Sequence, residues 1–401
     1  MRAYERFLKY VSIDTTSNEN AAGCPSTPNQ KMLGQLLVEE MMSMGIADSR
    51  MDNHGYVYGT IPPKGSTAKP AIGFIAHMDT SDAVPGGPIK PQIVNYAGGD
   101  IGLGNGLVIS EAEFDFLKDL HGTDLIVTDG NTLLGADDKA GVAEILTLCE
   151  RLMQPGAPDH GKVCIAFTPD EEIGRGADLF DVPGFGANYA YTVDGGALGE
   201  IEYENFNAAS AKVAIHGVNI HPGSAKNKMR NACLIAMEFN AMLPPQEIPA
   251  CTEGYEGFQH LNSISGQEEL ATLHYIIRDH DMDKFLQKKA RFEKIAAYLN
   301  EKYGPGTVEL TLKDSYFNMR EQLKDHMHIV EKAKEAMLSC GVAPIVKPIR
   351  GGTDGARLSF MGLPCPNLST GGYNFHGRRE LIPIEAMDTM VEVLLTLVKT
   401  A

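Results

Sequence analysis

Apolar residues along this chain recur with two periods, and the alternation between them outlines a fold. Residues 1–10 mix charged and apolar positions in the manner of an amphipathic helix. Residues 30–44 place Met32, Leu33, Leu36, Leu37 and Met41 at helical spacing before Gly45, a residue suited to closing a helix. Strands are predicted over 55–61 and 71–76, the second so uniformly apolar that it reads as covered on both faces. A helix over 138–152 (Val142, Ile145, Leu146, Cys149, Leu152) and strands over 162–167 and 187–193 continue the alternation, which predicts an α/β fold built on a central sheet. Residues 83–124, rich in Gly and Pro, interrupt it and read as a surface insertion. Gly102-x-Gly104-x-Gly106 within them lacks the strand before and helix after that a dinucleotide loop requires.

From about residue 208 the order changes. A strand over 211–216, a helix over 226–243, a strand near Asn262, another over 271–278, a helix over 282–299 and a strand over 307–313 follow the ferredoxin-like β-α-β-β-α-β order of a self-contained α+β unit. A helix over 329–338, a short one after Gly351-Gly352-Thr353-Asp354, a strand over 365–368 and a last helix over 383–399 then resume the first pattern. The expected organisation is one domain of 1–207 with 316–401, interrupted by a second of 208–315. At 401 residues the chain is long enough for two cores.

Charge and cysteine usage narrow the function. The net charge of −17 disfavours nucleic acid or an anionic membrane as partner, since both need a basic footprint. Seven scattered cysteines with no Cys-x-x-Cys pair read as reduced thiols of a cytoplasmic protein. No leader-like apolar segment stands at the start, and no run approaches the roughly 18 apolar residues of a membrane span.

Acids and imidazoles gather just beyond the predicted strands or at a helix start: His77 and Asp79, Asp137, Glu171 and Glu172, Asp194, and His376. Strand ends converge in an open α/β sheet, so positions spread over 300 residues can meet. Asp137-Asp138 alone would be an ordinary helix cap, but the company of the others points to metal. Oxygen and imidazole donors without thiolate suit zinc, with cobalt or manganese as alternatives, and two cations need a shared carboxylate, for which Asp137 is the candidate. His77 and Asp194 complete one site; Glu172 and His376 complete the other. In an extended segment residues i and i+2 share a face, so the Asp79 carboxylate can orient the far nitrogen of His77. Glu171, pointing away from Glu172, is placed to take a proton from a water bridging the metals and pass it to a leaving amine.

Ala76-His77-Met78-Asp79-Thr80, Gly135-Ala136-Asp137-Asp138-Lys139-Ala140-Gly141, Pro169-Asp170-Glu171-Glu172-Ile173-Gly174, Thr192-Val193-Asp194-Gly195-Gly196 and Gly371-Gly372-Tyr373-Asn374-Phe375-His376-Gly377 resemble the di-zinc exopeptidase family of aminoacylases and carboxypeptidases. Asp rather than Glu at 194 is similar to the branch that cleaves tripeptides. The resemblance implies a zinc-exopeptidase-like catalytic domain with a mixed central sheet flanked by helices, an inserted lid, and two Zn2+ per chain on the same ligands, with Glu171 as base. It implies an oxyanion role for His221, substrate clamps at Arg278 and Arg350, and a cis peptide bond between Asp137 and Asp138. The activity it implies is removal of the N-terminal residue from tripeptides by a monomer or homodimer. A related dipeptidase, carboxypeptidase or N-acyl amino acid deacylase is the alternative.

Overall fold

The computed structural model describes residues 1–65 and 69–400, and the chain divides into two compact units. The first takes Met1–Tyr203, Met319–Lys347 and the chain from Thr353 onward; the second takes Glu204–Asn318 and Pro348–Gly352.

The first unit opens with α1 (Ala3–Val11), which buries Ala3, Phe7, Tyr10 and Val11. Next comes α2 (Asn29–Ser43), which buries Leu33, Leu37 and Met41 and ends where Gly45 turns with φ +93°. Strands β1 (Arg50–Met51) and β2 (Val57–Ile61) lead to β3 (Ile72–His77), buried along its whole length. The excursion holds β4 (Gln92–Tyr96), β5 (Ile101–Gly102), β6 (Val108–Ile109) and β7 (Thr123–Val127). Then come α3 (Ala136–Leu152), β8 (Val163–Thr168), α4 (Val182–Phe185), β9 (Tyr189–Gly195) and β10 (Glu200–Glu202).

The second unit comprises β11 (Asn207–His216), α5 (Ala232–Ala241), β12 (Phe258–Gly266), β13 (Leu270–Asp279), α6 (Met282–Tyr303) and β14 (Val308–Tyr316). Its antiparallel sheet has the order β12-β13-β11-β14. Inward residues of the sheet, such as Val213, Ile215, Leu273 and Ile277, pack with Phe239 of α5 and Phe285, Phe292 and Leu299 of α6. The outward positions of β11 and β13 are more exposed, the alternation of a sheet covered on one face. Helix α5 is shorter than the 226–243 expected. Asn231 Oδ1 accepts from the amides of Cys233 and Leu234 at 2.9 and 3.3 Å and so starts the helix, while Arg230 just before it is drawn into a bridge with Val218. Pro348–Gly352 belongs with this unit because Ile349 pairs with Asn205 and Arg350 grips the loop 252–256.

The chain returns to the first unit through α7 (Arg320–Leu323), α8 (Met327–Ser339), β15 (Ile345–Val346), α9 (Asp354–Phe360), β16 (Asn367–Ser369), β17 (Leu381–Pro383) and α10 (Ile384–Thr400). The mixed central sheet runs β1-β2-β8-β3-β9-β16-β10-β15. Strands β8, β3, β9 and β16 are mutually parallel neighbours, so their carboxyl ends share one edge. Helix α3 lies close against this sheet: a Cβ on Gly141 would stand 1.9 Å from the Val193 carbonyl, so only glycine fits.

The region 83–124 is more than a surface insertion. Strand β4 pairs with β7, and β7 with β17, around a buried cluster that includes Tyr96, Ile109, Leu117, Leu125, Val127 and Leu381. Its apolar residues look irregular in sequence because Leu381, which completes the cluster, arrives some 250 positions later. Gly104–Gly106 is a single tight turn between β5 and β6, followed by no helix.

Candidate metal centre

Each candidate ligand stands at an end of a regular element or in a connection that follows one. His77 is the last residue of β3, Asp194 the penultimate one of β9, and Glu171–Glu172 follow the end of β8 in a short turn. Asp137 lies at the start of α3, and His376 in the loop between β16 and β17. The Asp137–Asp138 peptide bond is cis.

Two groups of three donors result. His77 Nε2 is 2.8 Å from Asp137 Oδ1 and 3.3 Å from Asp194 Oδ1. His376 Nε2 is 3.0 Å from Asp137 Oδ2 and 3.0 Å from Glu172 Oε2. Within each triad the donor atoms lie within 4.8 Å of one another, compared with the about 3.3 Å that separates ligand atoms around tetrahedral zinc. Asp137 thus turns one oxygen to each ring. Only 2% of the His77 side chain is exposed against 48% of His376, so the second triad is the open one.

The electrostatics agree with a cation. Burial pushes the Asp194 carboxyl up to about 8, and Asp137 and Glu172 add to the push against the attraction of His77. Burial also works against ionisation of Asp137, but the hydrogen bonds to His376 and His77 outweigh it and hold that carboxyl below its usual range. His376, bonded to Asp137 and Glu172, rises to about 11. Three carboxylates packed on two rings are therefore short of positive charge, which divalent ions would supply. Glu172 Oε1 is buried with no hydrogen-bond partner among the described residues, as expected of an oxygen left for a metal. The donor set fits.

The residues around the triads direct them. The carbonyl of Asp79 accepts from His77 Nδ1 at 3.0 Å, leaving Nε2 to point at the carboxylates. The Asp79 carboxylate is farther from that ring, at 3.4 Å, and accepts instead from the amides of Glu171 and Glu172 at 3.0 and 3.2 Å. Asp79 therefore orients His77 mainly through its backbone and uses its side chain to hold the Glu171–Glu172 turn. Asp138, the other half of the capping pair, accepts from the amides of His77 at 3.0 Å and Gly141 at 3.2 Å. Glu171 keeps part of its surface open, yet the surrounding protein desolvates its carboxyl and pushes it well above the ordinary range, with Asp194 adding to the push.

Two further carboxylates support the site without a sequence signature. Glu380 accepts from the amides of Leu134, Gly135 and Asp137. Asp170, in the left-handed region at φ 60°, accepts from Ser26 and Gln30 and so anchors the turn that carries Glu171. Sequence reasoning misses both, since the backbone amides held by Glu380 leave no side-chain pattern and the Ser26 and Gln30 partners of Asp170 lie some 140 positions away.

The remaining expected site residues lie in the second unit. His221 accepts from the Gly223 amide through Nδ1 at 3.2 Å. Arg278 stacks over Tyr316 at 5.0 Å, and its buried Nη1 has no hydrogen-bond partner among the described residues. Arg350 is committed: its Nη atoms donate to the carbonyls of Gly254 (2.7 Å), Glu256 (2.9 Å) and Thr252 (3.3 Å) and to Thr252 Oγ1 (3.0 Å).

Comparison with known proteins adds the following. Residues 203–307 match the family described as the peptidase dimerisation domain. Peptidase T of Desulfitobacterium hafniense strain Y51 is 56% identical over 398 residues, covering 98% of this chain and 97% of that protein. Among solved structures, aminopeptidase PepT from Bacillus cereus superimposes with a TM-score of 0.78 at 23% identity, covering 99% of this chain and 97% of the other. A tripeptidase from Staphylococcus aureus superimposes at 0.79 and 21% identity, covering 100% and 97%.

Proposed function

This chain belongs to the peptidase T family of metallo-aminopeptidases, and from that premise we propose that it holds two zinc ions and removes the N-terminal residue from tripeptides. His77, Asp137 and Asp194 would hold one ion; Asp137, Glu172 and His376 would hold the other. The observation that carries this reading is the single Asp137 carboxylate with one oxygen 2.8 Å from His77 and the other 3.0 Å from His376. When bound, the metals supply Lewis acidity for the scissile carbonyl and the attacking water.

The remaining work falls to the chain's own groups. Glu171 takes a proton from the water as its oxygen attacks the carbonyl carbon, and gives a proton to the amine as the C–N bond breaks, releasing an amino acid and a dipeptide. The desolvated setting of Glu171 suits it, since a carboxyl held above its ordinary range can keep the proton between the two steps. Asp79 holds the turn from which Glu171 projects.

The same reading gives the second unit the part of a lid that supplies His221, Arg278 and Arg350 to the substrate. Within that unit Arg278 has a donor to offer a substrate carboxylate, whereas the Arg350 donors already serve the 252–256 loop. The dimerisation-domain match supports a homodimer. Seven free cysteines support a cytoplasmic location, and no described helix is long and apolar enough to cross a membrane.

A chelated preparation given back zinc tests the whole. It should take up about two equivalents per chain and cleave free tripeptides in preference to di- and tetrapeptides, with N-acetylated tripeptides left intact. Turnover of an N-acetyl amino acid without turnover of a free tripeptide would instead place the chain among the deacylases.

A further inference from the structure

Asp137 and His376 lie 239 positions apart in sequence, on different loops, yet their side chains meet at 3.0 Å. One side chain ties the two loops together. Glu380, 1% exposed, lies four residues after His376. Its Oε2 accepts from the amides of Leu134 at 2.7 Å and Gly135 at 2.9 Å, and its Oε1 from the amide of Asp137 at 3.1 Å. The three amides can converge because Gly135 turns with φ +77°, a conformation that side-chain-bearing residues rarely adopt.

The main chain of Glu380 is itself fixed. Its amide donates to the Gly377 carbonyl, and Leu381 next to it exchanges two hydrogen bonds with Tyr373, closing the loop that has His376 at its tip. Tyr373 stacks on Phe116 at 4.2 Å, and Leu381 pairs with Val127 of β7, so the small sheet around 83–127 backs this loop. His77 is held by other means, through Asp138 and the Asp79 carbonyl.

We propose that Glu380 is the positioning residue of the second triad, setting the spacing between Asp137 and His376 by gripping the backbone of the Asp137 loop. This rests on the reading that the triads hold metal. Glu380→Gln keeps the shape but replaces one acceptor oxygen with an NH2 that can only donate, so at least one convergent amide loses its acceptor.

The test is zinc titration against a competing chelator. In Glu380→Gln one zinc equivalent should weaken about 10- to 100-fold while the other changes by no more than about twofold. In a His376→Ala background, where the second triad is already broken, Glu380→Gln should add no further loss. A merely structural role would weaken both equivalents alike, whatever the change in unfolding temperature from the lost amide acceptor, and that pattern overturns the proposal. So does an unchanged second equivalent in a wild type that binds two, which leaves the metal reading intact; a wild type that binds none removes both. Hydrogen exchange on metal-free wild-type protein gives a second measurement that needs no variant. The amides of Leu134, Gly135 and Asp137 should be protected before metal is added, and free exchange there would refute a loop gripped by Glu380.

Discussion

The turns that carry the candidate ligands in the first unit and the arginines of the second unit differ in what occupies their hydrogen-bonding groups. In the first unit, carboxylates outside the two triads grip backbone. Asp79 takes the amides of Glu171 and Glu172, Asp138 that of His77, and Glu380 those of Leu134, Gly135 and Asp137. A buried carboxylate is costly unless it is hydrogen-bonded. Here the amides satisfy it, and in return the turns are fixed while the triad oxygens stay available. In the second unit two arginines of similar appearance part company: Arg350 is used up on loop carbonyls, and Arg278 has a buried donor open. Availability, rather than residue type, distinguishes a group that can act on a ligand from one that holds the scaffold.

The largest test of this contrast is Glu171→Gln. If Glu171 is the proton carrier and the triads are fixed by other carboxylates, kcat should fall about 10²- to 10⁴-fold, with zinc stoichiometry unchanged by metal analysis. Loss of zinc together with activity would mean that Glu171 belongs to the metal-holding set. A smaller effect separates the arginines. Arg278→Ala should lower kcat/KM for free tripeptides about 10- to 100-fold, the worth of a hydrogen bond to a charged group, and should change little for tripeptides amidated at the C-terminus. Arg350→Ala should affect free and amidated peptides alike and expose the 252–258 loop to proteolysis. If Arg350→Ala alone abolishes the preference for a free carboxylate, the distinction between the two is wrong.

Much of this site is legible in the order of residues alone. His77 and Asp194 lie at strand ends, Glu172 and His376 in segments that follow strands and Asp137 at a helix start, so a sequence that shows where strands stop also shows much of what stands at the sheet edge. The β-α-β-β-α-β order of the second unit is equally plain, because each element shows its own period, even though β11 pairs with β13 and β14 from far along the chain. What stays hidden depends on partners without a signature. The cluster around Tyr96 and Leu125 needs Leu381 from the far end of the chain. Glu380 acts on backbone amides, which every residue possesses, and Asp170 on Ser26 and Gln30 from some 140 positions earlier. Spacing puts Asp79 beside His77, as found, but its carboxylate lies nearer the Glu171 turn than spacing alone implies.

Glu144 offers the smallest effect and the cleanest counterexample, a buried carboxyl that grips nothing. It lies fully buried on α3, and neither side-chain oxygen has a hydrogen-bond partner among the described residues. Burial pushes its carboxyl well above the ordinary 4.5, and Asp388 of α10 adds to the push. The folded chain therefore keeps a proton that the unfolded chain releases near 4.5, so stability falls as the pH rises from there toward the raised value. Glu144→Gln cannot titrate, and its advantage over wild type should be close to nothing at pH 4 and grow with pH. At pH 8 the apparent unfolding temperature should be higher by about 2 to 4 °C for each kcal/mol recovered, read by calorimetry at both pH values. An equal shift at the two, or a loss that deepens with pH, would mean that Glu144 ionises in place and is satisfied there, and that burial without an amide partner does not separate it from Asp138 and Glu380.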